Sequence, residues 1–348
     1  MQNRVGEHHF QASASQPEAF SIPPMLRYAL FFLLAFLHIG CEETASQQTP
    51  DWTQGETKSG SSILKNTPKP KVTPSGEYRF VAYNIKNYLK MWRYKDGKRQ
   101  LLGKPADEIT QLVSAIKETS PDILGLCEIG NLDDLKKLQS ELAESGINLP
   151  HYYHTGGSDE VRQLAILSKF PIQENPRPEI QYQMGEEKFT VLRGITDATV
   201  AVPSGPIRFL GIHFKSKRPS SEMDQETVRR NEAFTLRRHL TKLHSEAKTA
   251  SERMIVYGDF NDTTRSATLK AVSGSSRTKA YFKPIDLSDK YGLNWTHHWG
   301  YQDVYSRFDF ILANKAMMPY VRHDKSYILD TTPYPKASDH RPLVLVFE

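Results

Sequence analysis

The sequence predicts an α/β protein with mixed sheets, folded as one domain from residue 77 to the end. Three observations carry this. Short runs rich in β-branched and aromatic residues alternate with segments of helical spacing. Several of the short runs follow one another directly, which a purely parallel sheet does not allow. Polar residues recur at the ends of the apolar runs: Asn84, Glu128, His213, Asp259, Asp309 and the tripeptide Ser338-Asp339-His340.

Tyr78–Tyr83 is β-rich and ends at Asn84. Ile109, Leu112, Val113 and Ile116 give helical spacing over 106–118, and Pro121 breaks that helix. Asp122–Cys127 then reads as a buried strand. Leu132, Leu135, Leu138 and Leu142 mark a second amphipathic helix that stops near Gly146. Leu164–Leu167, Phe189–Val202 and Ile207–His213 read as strands, 223–246 as a helix and Met254–Tyr257 as a strand. Phe308–Leu312, Ser326–Leu329 and Pro342–Phe347 complete the set, with no internal repeat.

The front end reads as an address. Tyr28–Ile39 is apolar, follows Arg27, and is shorter than the ~20 residues that span a bilayer. A positive flank, a short apolar stretch and a small residue before Cys41 describe an export signal. Leu37-His38-Ile39-Gly40-Cys41 resembles a bacterial lipoprotein box, whose cysteine is lipidated and becomes the mature N-terminus. His38 stands where that pattern prefers an aliphatic residue, and Glu42 is not the aspartate that marks inner-membrane retention. Translation is expected to start at Met25. The expected location is therefore a bacterial membrane, outer membrane or cell surface; a cleaved signal and a secreted or periplasmic protein is the alternative. Residues 42–76 are rich in Ser, Thr, Gln, Pro and Lys, and read as a flexible tether.

Composition is ordinary for a globular chain, with 38% hydrophobic and 24% charged residues. The net charge of +5 lies on residues 77–348, since 1–41 balance (Arg4 and Arg27 against Glu7 and Glu18), as do 42–76. That is a mild bias toward polyanions and not a strong nucleic-acid signature. The two cysteines sit in very different contexts; no disulfide is expected, and Cys127 reads as a small buried hydrophobe.

The polar strand ends supply one kind of chemistry. Phosphoester hydrolysis needs charge neutralisation on the phosphoryl oxygens, an activated water and help for the leaving oxygen. Mg²⁺ takes oxygen ligands, and one or two carboxylates suffice to hold it. The chain offers Glu128, Asp259, Asp339 and the amide oxygens of Asn84 and Asn261, and no Cys/His cluster with zinc spacing. His213 and His340 can move protons or contact phosphate, and Asp309 is the candidate to orient His340. Taken singly, Asp259-Phe260-Asn261 could be a polar turn closing a strand, and Asp309 a satisfied buried carboxylate.

Together, Asn84, Glu128, His213, Gly258-Asp259-Phe260-Asn261, Asp309 and Ser338-Asp339-His340 resemble the endonuclease/exonuclease/phosphatase superfamily over about residues 78–348. The resemblance implies a four-layer sandwich, two mixed β-sheets face to face with helices on both outer faces. It implies a divalent cofactor, Mg²⁺ with Mn²⁺ or Ca²⁺ as alternatives, held by Glu128, Asn84 and Asp339. Asp259 would activate the water, Asn261 would hold phosphate, and His213 and the Asp309–His340 pair would contact the scissile phosphate or transfer protons. Two departures stand out. Lys86 replaces an acid found in abasic-site endonucleases, which argues against a second metal there, and Cys127 stands where glutamine is common.

Further candidates for substrate contact are Lys86, Trp92, Arg162, Lys215, Arg230 and Trp295. For Trp295 packing is the stronger expectation, and Arg162, Arg229 and Arg230 suit solvated or structural charges as well. From Ile85 through Lys104 there are seven Lys/Arg and one acid, Asp96, interleaved with Tyr88, Trp92 and Tyr94. Such a stretch suits phosphate contact and base stacking, anionic headgroups, or a solvated loop turning at Asp96-Gly97. The leading functional expectation is a lipid-anchored nuclease or general phosphodiesterase. The alternative is a phosphomonoesterase or phospholipid-headgroup hydrolase of the same fold. A non-catalytic polyanion-binding module is the remote alternative, because every catalytic residue type is present. A monomer is expected.

Overall fold

The computed structural model describes residues 76–218, 224–246 and 249–348. The export segment with Cys41, and all but the last residue of the 42–76 tether, lie outside them. In chain order the elements are β1 (Tyr78–Tyr88), β2 (Met91–Lys95), β3 (Lys98–Leu102), α1 (Ala106–Thr119), β4 (Ile123–Ile129), α2 (Leu132–Glu144), β5 (His151–Thr155) and β6 (Gln163–Ser168). Then come β7 (Ile172–Glu174), β8 (Gln181–Met184), β9 (Glu187–Thr190), β10 (Thr196–Val202), β11 (Gly205–His213), α3 (Gln225–Ser245), β12 (Arg253–Asp259) and α4 (Ala267–Ser273). The chain ends with β13 (Phe282–Pro284), β14 (His297–Trp299), β15 (Val304–Ser306), β16 (Asp309–Asn314), β17 (Tyr327–Ile328) and β18 (Leu343–Phe347).

Two six-stranded sheets hold the fold, in the orders β17-β18-β1-β4-β6-β5 and β13-β16-β12-β11-β10-β7. Each is mixed, with one parallel pair joined through a helix: β1 to β4 by way of α1, and β11 to β12 by way of α3. Strand alternation sorts the side chains into layers. Phe80 and Ala82 of β1 face the core between the sheets, with Phe209, Tyr257 and Phe347. Val81 and Tyr83 face the other way, onto Leu112 and Ile116 of α1 and Leu135 and Leu138 of α2. Leu210, Ile212 and Val256 of the second sheet pack on Leu236 and Leu240 of α3 and Leu269 of α4. This is the four-layer sandwich.

The sheets meet closely where the core is aromatic. The Phe80 ring lies 4.8 Å from those of both Phe209 and Tyr257. A Cβ on Gly125 would come within 2.2 Å of the Tyr257 ring, so only glycine lets β4 approach it. Helix starts follow local chemistry. Asn131 and Asp134 form a reciprocal capping box on α2, Asp224 caps α3 through the Thr227 N–H, and Ser266 caps α4.

The expected elements are present with shifted bounds, and one is split. Phe189–Val202 is two strands, β9 and β10, because the chain breaks pairing around Gly194, which has φ +71°. The stretch after Asn84 is ordered as the β2–β3 hairpin, with Asp96 and Gly97 both at positive φ in its turn. Strands β5, β7, β8 and β13 to β15 and helix α4 had no clear periodic signal. Among the described residues no helix is long and apolar enough to cross a membrane.

Candidate active site

Antiparallel and parallel pairing bring the polar strand ends to one edge of the sandwich. In the second sheet His213, Asp259 and Asp309 are register neighbours across β11, β12 and β16. In the first, Asn84 is opposite Cys127, and Glu128 sits in a bulge of β4. Three local conformations aim these side chains. Glu128 has φ +65°, which turns it out of the strand. Lys86 and Asn87 take φ +47° and +52°, so the chain curls and offers two N–H groups to the site. Gly258 has φ +134°, and a Cβ there would meet the Ile212 carbonyl at 1.9 Å, so only glycine fits just before Asp259.

Asn84 joins the two sheets. Its Nδ2 donates to Asp259 Oδ2 at 3.1 Å and to Glu128 Oε1 at 3.3 Å, while its Oδ1 accepts the Lys86 N–H at 3.1 Å. The Asn87 N–H donates to Glu128 Oε2 at 2.9 Å. Asn261 braces Asp259: its N–H donates to Oδ1 at 2.8 Å, and its Nδ2 to Oδ2 at 3.2 Å and to the Phe214 carbonyl at 2.9 Å. His340 Nδ1 lies 2.8 Å from Asp309 Oδ2, and its Nε2 lies 3.8 Å from Asp259 Oδ2. His213 Nε2 lies 3.5 Å from that same oxygen and 3.9 Å from Glu128 Oε1.

Burial and neighbouring charge set the protonation states. Burial, followed by the Asp309 charge, pushes the Asp259 carboxyl up to about 7. Burial opposes a charge on His340, but the Asp309 and Asp259 carboxylates outweigh it and raise the imidazole to about 10. His213 is held well below its ordinary value by burial and then by Arg193, His340 and Arg162, so it is neutral. Burial works against the charged form of Asp339, yet His340 and Lys86 keep its carboxyl below the usual range. His297 is lowered to about 4 by burial and by the charge on His340.

The donor set fits a hard divalent cation. Glu128 has one oxygen fixed by Asn87, and the Asp339 carboxylate is paired with the flexible Lys86 ammonium at 3.5 Å, a cation already standing beside it. Asp259, Asp309 and His340 are also close enough to be a metal group by distance alone. In that group His340 Nδ1 is already engaged by Asp309 Oδ2 at 2.8 Å, which leaves Nε2 as the ring nitrogen turned toward Asp259.

The remaining candidates are placed less uniformly. Lys86 lies at the site; Arg162 and Lys215 are half-buried, with Lys215 held by its N–H on buried Glu232. Trp92 is exposed on the β2–β3 hairpin. Arg230 is exposed on α3, whereas its neighbour Arg229 is buried and donates to the Lys215 carbonyl and Asp262. Trp295 packs on Tyr305 and under the Arg341 guanidinium. Sequence reasoning passed over Thr296, whose Oγ1 accepts the N–H groups of Phe308 and Asp309, and Glu232, which accepts from Leu192 and Lys215. Thr296 could have been found, since it directly follows Trp295, which was already a candidate. Glu232 gave no signal inside a polar helix. A cleft of about 1200 Å³ lies elsewhere, at the Gly205 and Arg253 ends of β11 and β12.

Three solved structures illustrate the fold's relatives. A Bacteroides vulgatus endonuclease/exonuclease/phosphatase is 17% identical, with TM-score 0.54, covering 79% of this chain and 99% of that one. D. rerio TDP2, humanized by 14 mutations, is 16% identical, with TM-score 0.54 and 79% and 100% covered. A mutant of the Staphylococcus aureus beta toxin with bound magnesium ions is 14% identical, with TM-score 0.52 and 78% and 100% covered. No curated protein matches the chain. The Endonuclease/Exonuclease/phosphatase family matches residues 83–340, most of the chain. With that match and the shared four-layer fold, the chain belongs to the endonuclease/exonuclease/phosphatase family and is a hydrolase of phosphoester bonds.

Proposed function

We propose that the protein is a divalent-metal-dependent phosphodiesterase acting on nucleic acid. The observation that carries this is geometric: Asp259, Glu128 and His340 converge on one edge of the fold, with Asn84 bonded to both carboxylates, His340 Nε2 3.8 Å from Asp259 Oδ2 and its Nδ1 2.8 Å from Asp309 Oδ2. Asp259 accepts the proton of a water as its oxygen attacks phosphorus. The ester P–O bond breaks, the leaving oxygen takes up a proton from solvent water, and Asp259 then releases the proton it accepted to solvent, so that the net change is the addition of one water across the P–O bond. Asp309 keeps His340 charged and oriented, so that His340 stabilises the phosphoryl oxygens. Neutral His213 donates a hydrogen bond, and Asn261 and Asn84 hold Asp259 in place. Glu128 and Asp339, with Asn84 beside them, would hold Mg²⁺, which supplies Lewis-acid neutralisation of the phosphoryl charge. Asn84 Nδ2 donates to Glu128 Oε1, which holds that carboxylate in position for the ion.

The exposed, basic β2–β3 hairpin beside the site favours a polyanionic diester over a small monoester. Purified protein is assayed with Mg²⁺ against DNA, RNA, a phosphodiester dye ester, a phosphomonoester dye ester and sphingomyelin. Turnover of nucleic acid and the diester dye is expected; turnover confined to the monoester or to sphingomyelin would move the assignment to a headgroup hydrolase.

We also read the chain as exported and lipid-anchored through Cys41, from the apolar run and the Leu37–Cys41 box. Metabolic labelling with a fatty acid is expected to mark the protein, and Cys41→Ser to abolish the label. Labelling that survives Cys41→Ser would overturn the anchor.

A further inference from the structure

The β2–β3 hairpin is fastened to the site at both of its ends. Arg93, on one strand, donates to the Asn87 carbonyl at 3.1 Å, and Lys104, just after the other, donates to the Lys86 carbonyl at 3.0 Å. Lys86 and Asn87 are the residues whose N–H groups hold Asn84 and Glu128, and the Lys86 ammonium reaches Asp339. The hairpin is thus an extension of the site rim and not a detached loop.

Strand alternation divides its two faces. Met91, Arg93, Gln100 and Leu102 are half-buried, while Trp92, Tyr94, Arg99 and Leu101 are exposed. Trp92 is opposite Leu101 and Tyr94 opposite Arg99, so the four form one block. Trp92 is 57% and Tyr94 82% exposed, and the Arg99 guanidinium lies 5.3 Å from the Trp92 ring centroid. Among the described residues Lys90, Lys95, Lys98 and Arg99 form no ion pair.

We propose that this face is a stacking platform that guides a single-stranded polynucleotide into the phosphate site, an inference that rests on the phosphodiesterase reading above. Flat aromatic rings set among unpaired cations bind bases by their faces and phosphates by charge, whatever the sequence. A paired duplex hides its base faces and cannot use Trp92 and Tyr94 in this way. The tip, Lys95-Asp96-Gly97-Lys98, is charged, so it does not suit insertion into a lipid surface.

The test is binding by the full chain, with a chelator present so that the strand survives. The probe is a labelled oligothymidylate of about 12 nucleotides, followed by anisotropy and by Trp fluorescence. Trp92→Ala with Tyr94→Ala is expected to weaken binding at least ~10-fold. Trp92→Phe with Tyr94→Phe restores it, and duplex DNA of the same length binds more weakly and is indifferent to either pair. Both side chains are exposed, and a thermal melt checks that the variants fold. Equal affinity of wild type and the alanine pair, absence of oligonucleotide binding, or equal losses for duplex would overturn the platform. So would binding instead to vesicles of phosphatidylglycerol and phosphatidylcholine that the alanine pair abolishes. Turnover of the diester dye by wild-type protein, measured in parallel with Mg²⁺, tests the hydrolase reading by itself.

Discussion

Asn84 Nδ2 lies 3.1 Å from Asp259 Oδ2, a hydrogen bond between residues 175 apart that ties the first sheet to the second. The same nitrogen reaches Glu128, so one buried amide fixes the spacing of the candidate water-activating carboxylate and the candidate metal ligand. Asn84→Ala leaves both carboxylates short of a donor. A stability loss of about 1–3 kcal/mol is expected by thermal or urea unfolding, with an activity loss of ~10-fold or more. Wild-type activity together with wild-type stability would show that the bridge does nothing.

The Asp309–His340 contact governs how the site titrates. Activity is expected to rise with pH through about 7 as Asp259 loses its proton, and to fall toward about 10 as His340 loses its own. The folded value of His340 is raised above 6.5, so its stabilising contribution is complete below 6.5 and is lost as pH rises through about 10. Asp309→Asn removes the largest support for the imidazolium. It is expected to move the alkaline limb of the pH–rate profile to lower pH, while the acid limb also falls because Asp309 raises Asp259. An unmoved alkaline limb would mean that His340 is not the group seen there.

Gly258→Ala is expected to damage Asp259 without touching it. The new methyl would collide with the Ile212 carbonyl in a left-handed conformation. A lowered melting temperature and a loss of activity are expected; the measurement is a thermal melt alongside the diester assay, and full activity in the variant would contradict the steric account.

Much of this was legible in the chain, for reasons that can be named. Helices α1 and α2 announce themselves by leucines and isoleucines at helical spacing, and buried strands such as β4 by an unbroken apolar run, Ile123–Cys127. The functional residues were visible because each stands at or near one end of such a run: Asn84, Glu128, His213 and Asp259 near the close, Asp309 and Ser338-Asp339-His340 near the start. What stayed hidden depends on partners far along the chain. That the amide hydrogens of Asn261 go to Phe214 and Asp259 is one such case, set by where β11 ends. Arg230 was the candidate and Arg229 the buried one, because a single helical position decides which of two arginines faces inward. The β2–β3 hairpin was concealed by its charge, although its Asp96-Gly97 turn was in plain view.

Asp259 and His340 are expected to matter for rate more than for folding. Asp259→Asn and His340→Ala are each expected to lower kcat by at least ~10² at saturating Mg²⁺, with the far-ultraviolet circular dichroism unchanged. A loss confined to KM would reassign them to substrate binding.

Metal-assisted hydrolysis at the Glu128–Asp259–His340 edge is tested by titrating Mg²⁺ into chelator-treated protein while following turnover of a phosphodiester dye. The account predicts no turnover without the ion, saturable recovery as it is added, and recovery shifted to higher Mg²⁺ in Glu128→Gln. Turnover that persists in chelator, or a Glu128→Gln variant with the wild-type Mg²⁺ dependence, would contradict it.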